Sequence, residues 1–270
     1  MDLLIVGDGP VARALDANLA RAGAAPARWW RKRGGKMPQA GVALLAVSDR
    51  AIAEAAAEVV RAQAAPPVLL HCAGALPPDE VFAGLGAPGV GLLHPLTSIA
   101  TGAETLERVH FAIQGDLAGR SAARAIVALV GGAPLELPEG ADALAGYHAA
   151  AALVSNAAVA LVDAGVELFA SLGLERAGAT RALAALLDST ARNLSSVGLP
   201  DALTGPIARG DAGVVERHLR ALAAHPALDA LYRATARRVT KVAVEKGRAD
   251  AESIAKIRKL LGFTGSPDLK

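Results

Sequence analysis

The chain of 270 residues has a single cysteine, Cys72, which excludes an intramolecular disulfide and any multi-cysteine metal site. Aromatic residues make up only 3%, and 28 basic against 26 acidic residues leave a formal charge of +2. Neither a phosphate-tracking surface nor a set of base-stacking platforms is on offer, so nucleic acid is not an expected partner. No pair of histidines has the spacing of helix or hairpin metal ligands, and no metal is expected. No apolar run of 18 residues stands out, because the Ala, Val and Leu behind the mean hydropathy of +0.35 are spread through segments that charges interrupt. The first residues are already strand-like and lack the basic flank, apolar stretch and cleavage site of a secretory signal. These absences lead to the expectation of a soluble cytoplasmic protein that binds no membrane.

What is present begins at residue 3. The apolar run Leu3-Leu4-Ile5-Val6 breaks at Gly7-x-Gly9-x-x-Ala12 and passes into Ala/Leu-rich helical sequence, the order of strand, tight turn and helix start in a dinucleotide-binding βαβ unit. Gly7 permits the turn and Gly9 lets the backbone approach a pyrophosphate. Pro10 and Val11 open the helix, and Ala12 is small enough for it to pack close to the strand. The pyrophosphate would meet the free amides of that helix. Asp8 is out of place here, since a carboxylate beside a diphosphate repels it unless it faces solvent. Some 20 residues on, where an acidic side chain would hold the ribose hydroxyl of NAD, stand Arg31, Lys32 and Arg33. Their charge and paired donors suit a 2′-phosphate, which makes NADP the expected cofactor; the competing reading is a solvated basic turn.

Further apolar runs follow, each ending in small or polar residues. The run from Val42 to Val47 stops at Ser48-Asp49, where Asp49 is placed to cap a helix over 50–64. The run from Val68 opens into Cys72-Ala73-Gly74, whose small residues leave room for a nicotinamide ring. The run over 90–93 leads into His94-Pro95-Leu96-Thr97-Ser98, a turn with two hydroxyls beyond it. Strands alternating with helices predict an α/β fold with a mostly parallel sheet covered on both faces. Ligands then sit beyond the carboxyl ends of the strands, which gathers Val47, Ser48, Cys72, Ala73, Gly74 and His94 at one rim with the glycine turn.

Past residue 138 the sequence reads as helix, giving a Rossmann-type NADP-binding domain over 1–138 and a helical substrate and dimerisation domain over 139–270. The first helix, roughly 142–172, is apolar nearly all round and is expected in a core or between subunits. It carries His148, Ser155 and Asn156. At 100° per residue, Ser155 lies about 20° to one side of His148 and Asn156 about 80° to the other, so they share a face, with about 12 Å between His148 and Asn156 along the axis. His148 is the candidate acid/base group, with Asn156 and Ser98 orienting a substrate. Alternatively His148 bonds a nearby carbonyl and Ser155 its own helix. Farther on, Arg209 could clamp a substrate carboxylate while Asp211 orients it or caps the next helix; the other reading is a cap with a structural ion pair.

The glycine turn, His71-Cys72-Ala73-Gly74, His94-Pro95-Leu96, Gly146-Tyr147-His148-Ala149-Ala150 with Ser155-Asn156, and Leu203-Thr204-Gly205-Pro206-Ile207-Ala208-Arg209-Gly210-Asp211 together resemble an uncharacterised bacterial Rossmann-like family whose helical C-terminal half is a domain of unknown function. More distantly the chain is similar to the superfamily of 6-phosphogluconate dehydrogenase, β-hydroxyacid dehydrogenase, ketopantoate reductase and pyrroline-5-carboxylate reductase. That likeness implies a C-terminal domain of the 6-phosphogluconate dehydrogenase type, a homodimer and an active site between two domains. In the hydroxyacid and ketopantoate enzymes the interdomain helix carries a catalytic Lys, followed one or two turns on by Asn. Here His148 stands at the Lys position, Ala152 at the nearer Asn and Asn156 at the farther. The expected function is NADP-dependent hydride transfer to or from a small carbonyl, imine or hydroxy acid. The rivals are a non-catalytic NADP-binding sensor or scaffold, which the missing Lys favours, and an enzyme that exchanges nicotinamide for a deazaflavin.

Overall fold

The computed structural model describes residues 2–30 and 34–263. Leu3–Val6 (β1), Val42–Leu45 (β3) and Val68–His71 (β4) are almost wholly apolar, as strands covered on both faces must be. With Ala27–Trp29 (β2), Val90–Pro95 (β5), His110–Gly115 (β6) and Ala133–Glu136 (β7) they form, among the described residues, one seven-stranded sheet in the order β2-β1-β3-β4-β5-β6-β7. Every pairing is parallel except that of β5 with β6, so the expected mostly parallel α/β sheet is present. The order of connection reverses at β1, whose neighbours are β2 and β3, and this opens a crevice at their carboxyl ends.

Alternation along the strands fills both faces. Leu3 and Ile5 pack in one core with Pro10–Arg21 (α1) and Leu117–Leu129 (α4). Leu4 and Val6 pack in the other with Ile52–Ala62 (α2) and with Phe82, which follows the short helix Pro78–Val81 (α3).

Two local expectations are corrected. His94 and Pro95 do not form a turn; they end β5, opposite Ala112 and Phe111 of β6. Pairing with β4 stops at Leu92, so β5 has β6 alone beside it at Pro95, whose missing N–H then leaves no ladder partner wanting. Asp49 is not a side-chain cap: it begins a 3-10 turn, Asp49–Ala51, that leads into α2, and Ser48 takes the cap position without a side-chain hydrogen bond.

The chain falls into two compact units that divide between Ala158 and Val159, inside the helix Ala141–Ser171 (α5). The first turn of α5 is tied down locally. Gln114 of β6 donates to the carbonyls of Pro138 and Gly140 at 2.5 and 3.3 Å, and Leu144 is buried against Leu92 and Ala112. In the second unit Ala212–Leu222 (α7), Pro226–Lys246 (α8) and Ala251–Leu260 (α9) enclose Val215, Ala236, Ala243, Ile254 and Ile257. Arg176–Val197 (α6) starts where the Glu175 carboxylate accepts the amides of Ala177 and Gly178.

Of the two places expected for α5, a core or a subunit interface, the core of its own chain is not where it lies. Leu153, Val154 and Val159 are 73%, 77% and 71% exposed, and only Leu144 and Val166 of the helix are buried. By length and composition α5 is also apolar enough to cross a membrane, contrary to the sequence estimate: from Ala143 to Val162 it has no Asp, Glu, Lys or Arg, only Tyr147, His148, Ser155 and Asn156 among apolar and small residues. Its first turns nevertheless pack on β5 and β6.

Candidate active site

The glycine turn has the geometry its sequence suggests. Gly7 sits at φ +132°, and a Cβ there would come within 2.3 Å of the Ala46 carbonyl oxygen, so a glycine is required. Gly9 is the N-cap of α1 and Pro10 its first residue, and no side chain caps the helix, which leaves its first amides available to an anion. Ala12 is fully buried behind them.

The misplaced Asp8 is accounted for. Its carboxylate lies 3.1 Å from Arg13 and 2.9 Å from Arg28, and these partners, Arg13 foremost, hold its pKa below the usual carboxylate range. Arg28 also donates to the Gly7 carbonyl, reaches Asp16 at 3.1 Å and stacks over the Trp30 ring at 5.2 Å. The turn therefore carries a carboxylate already neutralised by two guanidinium groups. Arg31 and Lys32 lie outside the described residues.

Two cavities meet this end of the sheet. One, of about 440 Å³, is lined by Asp8, Gly9, Pro10, Val11, Val47, Ser48, Asp49, Cys72 and Ala73, and so gathers seven of the residues assigned to the cofactor from sequence. Gly7 and Val47 also line a smaller slot of about 140 Å³ with Trp29, Trp30, Glu54 and Glu58. Burial pushes the Cys72 thiol up to about 12, so Cys72 shapes the wall and is no nucleophile at neutral pH. Free helix amides, a glycine turn that admits no Cβ and a neutralised Asp8 fit a dinucleotide diphosphate.

The other cavity, of about 640 Å³, is lined by His94, Thr97, Ser98, Tyr147, His148, Ser155 and Asn156 together with apolar residues of α5. The proposed face of α5 is thus gathered with Ser98 at a single cavity. His148 is exposed rather than buried, as a consequence of the uncovered helix. His94 Nδ1 and the Tyr147 hydroxyl are 2.6 Å apart, with their rings edge to face at 5.6 Å. The His148 ring stands edge-on to His94 at 6.2 Å. Burial, then the neighbouring His148, push the His94 imidazole down to about 4, against the pull of Asp49 in the first cavity. Burial pushes the Tyr147 phenol up to about 12. His94 accordingly feels one residue from each cavity.

The space beside Gly74 is not open as expected. A Cβ there would lie 2.9 Å from His148 and 3.0 Å from His94, so the two imidazoles occupy the room assigned to a nicotinamide ring. Arg209 and Asp211 belong to the second unit. Asp211 caps α7 by accepting the Val214 amide at 3.0 Å, while Arg209, in the 3-10 turn Ile207–Arg209, is exposed and has no ion pair among the described residues.

Two residues of the site carried no assignment from sequence. Arg28 depends on β2 lying beside β1, with Arg28 in register with Ile5, a relation between strands that no local pattern encodes. Tyr147 was legible in part: the chain has only two tyrosines, and this one adjoins His148.

Residues 109–239 match the model of a domain of unknown function, DUF2520. No curated protein matches the chain. Among solved structures it is similar to protein TM1727 from Thermotoga maritima, with a TM-score of 0.70 and 26% identity over 91% of this chain and 100% of the other. It is also similar to the proposed NADP oxidoreductase BF3122 from Bacteroides fragilis, with a TM-score of 0.69 and 21% identity over 89% and 98% of the two chains. A third is the pyrroline carboxylate reductase of Plasmodium falciparum, solved with NADP bound, with a TM-score of 0.62 and 14% identity over 92% and 97%. The last two likenesses establish a shared fold.

Proposed function

We propose that this protein is an NADP-dependent oxidoreductase acting on a small carbonyl, imine or hydroxy acid. The observation that carries the reading is the convergence of the glycine-turn cavity and the His94, Tyr147 and His148 cavity at one end of the sheet, with His94 within electrostatic reach of both. The NADP bound to one similar fold, and the NADP oxidoreductase name of another, support the choice of cofactor.

The α1 amides and the Gly7 to Gly9 backbone would hold the diphosphate, and Arg31 with Lys32 the 2′-phosphate. Bound there, the dinucleotide supplies or accepts hydride. Ser98 and Asn156 orient the substrate by hydrogen bonds, the imidazole and phenol cluster moves the accompanying proton, and Arg209 is the proposed partner of a substrate carboxylate. The exposed apolar side chains of α5 support a homodimer that covers them.

Calorimetric titration with NADPH and NADH tests the reading. Micromolar binding of NADPH is expected, and Arg31→Ala should weaken it at least about tenfold while leaving NADH unaffected, given the strength of hydrogen bonds to charged groups. Absence of binding heat with NADPH would remove both cofactor and activity.

A further inference from the structure

We propose that Tyr147 is the proton donor to the substrate and that His94 is its positioning partner, holding the phenol ready by donating from Nδ1 to the phenol oxygen. The assignment rests on the oxidoreductase reading above and names the acid within it.

Geometry separates Tyr147 from its neighbour. The Tyr147 side chain is seated against the cluster of Leu92, Ala112 and Leu144, and the residue also lines the 640 Å³ cavity together with His94, the partner of its hydroxyl. One end of the side chain is therefore fixed by packing and the other by the 2.6 Å contact with His94. His148 leans on the His94 ring but makes no hydrogen bond among the described residues, and nothing fixes its tautomer. A proton donor must be held in place before the reaction to act efficiently. Tyr147 meets that condition and His148 does not.

The electrostatics agree. His94 is neutral at pH 7 because burial and His148 hold it down to about 4, so it has one ring proton to offer. With that proton on Nδ1, His94 donates to the phenol oxygen, and the phenol's own proton is free to point into the cavity. When the carbonyl carbon receives hydride, the new C–H bond forms and the π pair moves onto oxygen. That oxygen takes the Tyr147 proton as the phenolic O–H bond breaks. Carbon is reduced, the nicotinamide is oxidised, and the phenolate keeps the His94 hydrogen bond until water in the cavity returns a proton to it.

The test pairs two substrates with one variant. Ketones and 2-keto acids need hydride and a proton, whereas the 1-methyl-1-pyrrolinium ion, already cationic, needs hydride alone. Tyr147→Phe should lower turnover of the carbonyl substrate by at least about 100-fold, in the range of a general acid, while leaving NADPH affinity and reduction of the cation unchanged. Equal losses on both substrates would mean a structural role and overturn the assignment, as would full carbonyl activity in Tyr147→Phe with loss in His148→Ala. If the wild-type protein binds no NADPH, the underlying reading falls first, and the assignment with it. A second readout needs no turnover: the ¹⁵N spectrum of the free protein at pH 7 should show His94 protonated at Nδ1 and bare at Nε2. The opposite tautomer would place the phenol proton on the His94 bond and overturn the proposal.

Discussion

The Asp8 carboxylate in the glycine turn lies 2.9 Å from the Arg28 guanidinium of β2, and Arg13 of α1 closes on its other oxygen at 3.1 Å. An acidic residue at the mouth of a diphosphate site is thereby tolerated. Arg28→Ala should weaken NADPH binding about tenfold, because a partly released carboxylate then repels the diphosphate across a short distance. Adding Asp8→Asn should recover the loss, which titration of the single and double variants checks.

The turn itself is intolerant of a side chain. Gly7→Ala places a Cβ 2.3 Å from the Ala46 carbonyl oxygen at φ +132°. The substitution should lower the unfolding free energy by about 2–4 kcal/mol, visible as a reduced urea midpoint, and should abolish NADPH binding.

Acid should destabilise the fold through His71. This residue is fully buried at the end of β4, its Nδ1 accepts the Ala73 amide, and burial, then His94, push it down to about 4 from an ordinary 6.5. Between those two pH values the unfolded chain binds the proton and the folded chain does not, so stability is full above about 6.5 and falls as pH drops towards 4. The loss amounts to about 3 kcal/mol from this group alone. His94, shifted in the same direction, adds to it. Urea unfolding at several pH values measures the slope, which His71→Gln should flatten.

The uncovered face of α5 should be an association surface. If the proposed homodimer forms through it, Val154→Asp, at a position 77% exposed in the single chain, should give a monomer in sedimentation velocity while the far-ultraviolet spectrum is kept. A wild-type protein that sediments as a monomer would remove the dimer.

Local chemistry made the first half of the fold legible. The glycine turn is written in consecutive residues, and the sheet follows from apolar runs that alternate with helical segments. The pairing of His148 with Asn156 was accessible because helix periodicity alone puts them on one face, and they do line one cavity. Long-range relations were hidden. Arg28 meets Asp8 only because β2 adds beside β1, and His94 belongs to β5 because β6 pairs with it there despite Pro95. Tyr147 meets His94 only because β5 carries the imidazole to it, a contact between residues 53 positions apart. The apolarity of α5 was plain in the sequence, but composition does not say whether an apolar helix is covered by its own chain, and Leu153, Val154 and Val159 are not.

Gln114 carries no chemistry of its own, yet through its two hydrogen bonds to the Pro138 and Gly140 carbonyls it gauges where α5 starts. Tyr147 follows Ala141 by under two helical turns, so its bearing toward His94 is inherited from that starting point. With that start held, one residue added between Ala141 and Tyr147 would swing the phenol about 100° away from the imidazole. The geometry of the proposed proton donor is thus metered by a stretch with no reactive group, and a change in its length would silence the donor without altering an atom of Tyr147 or His94.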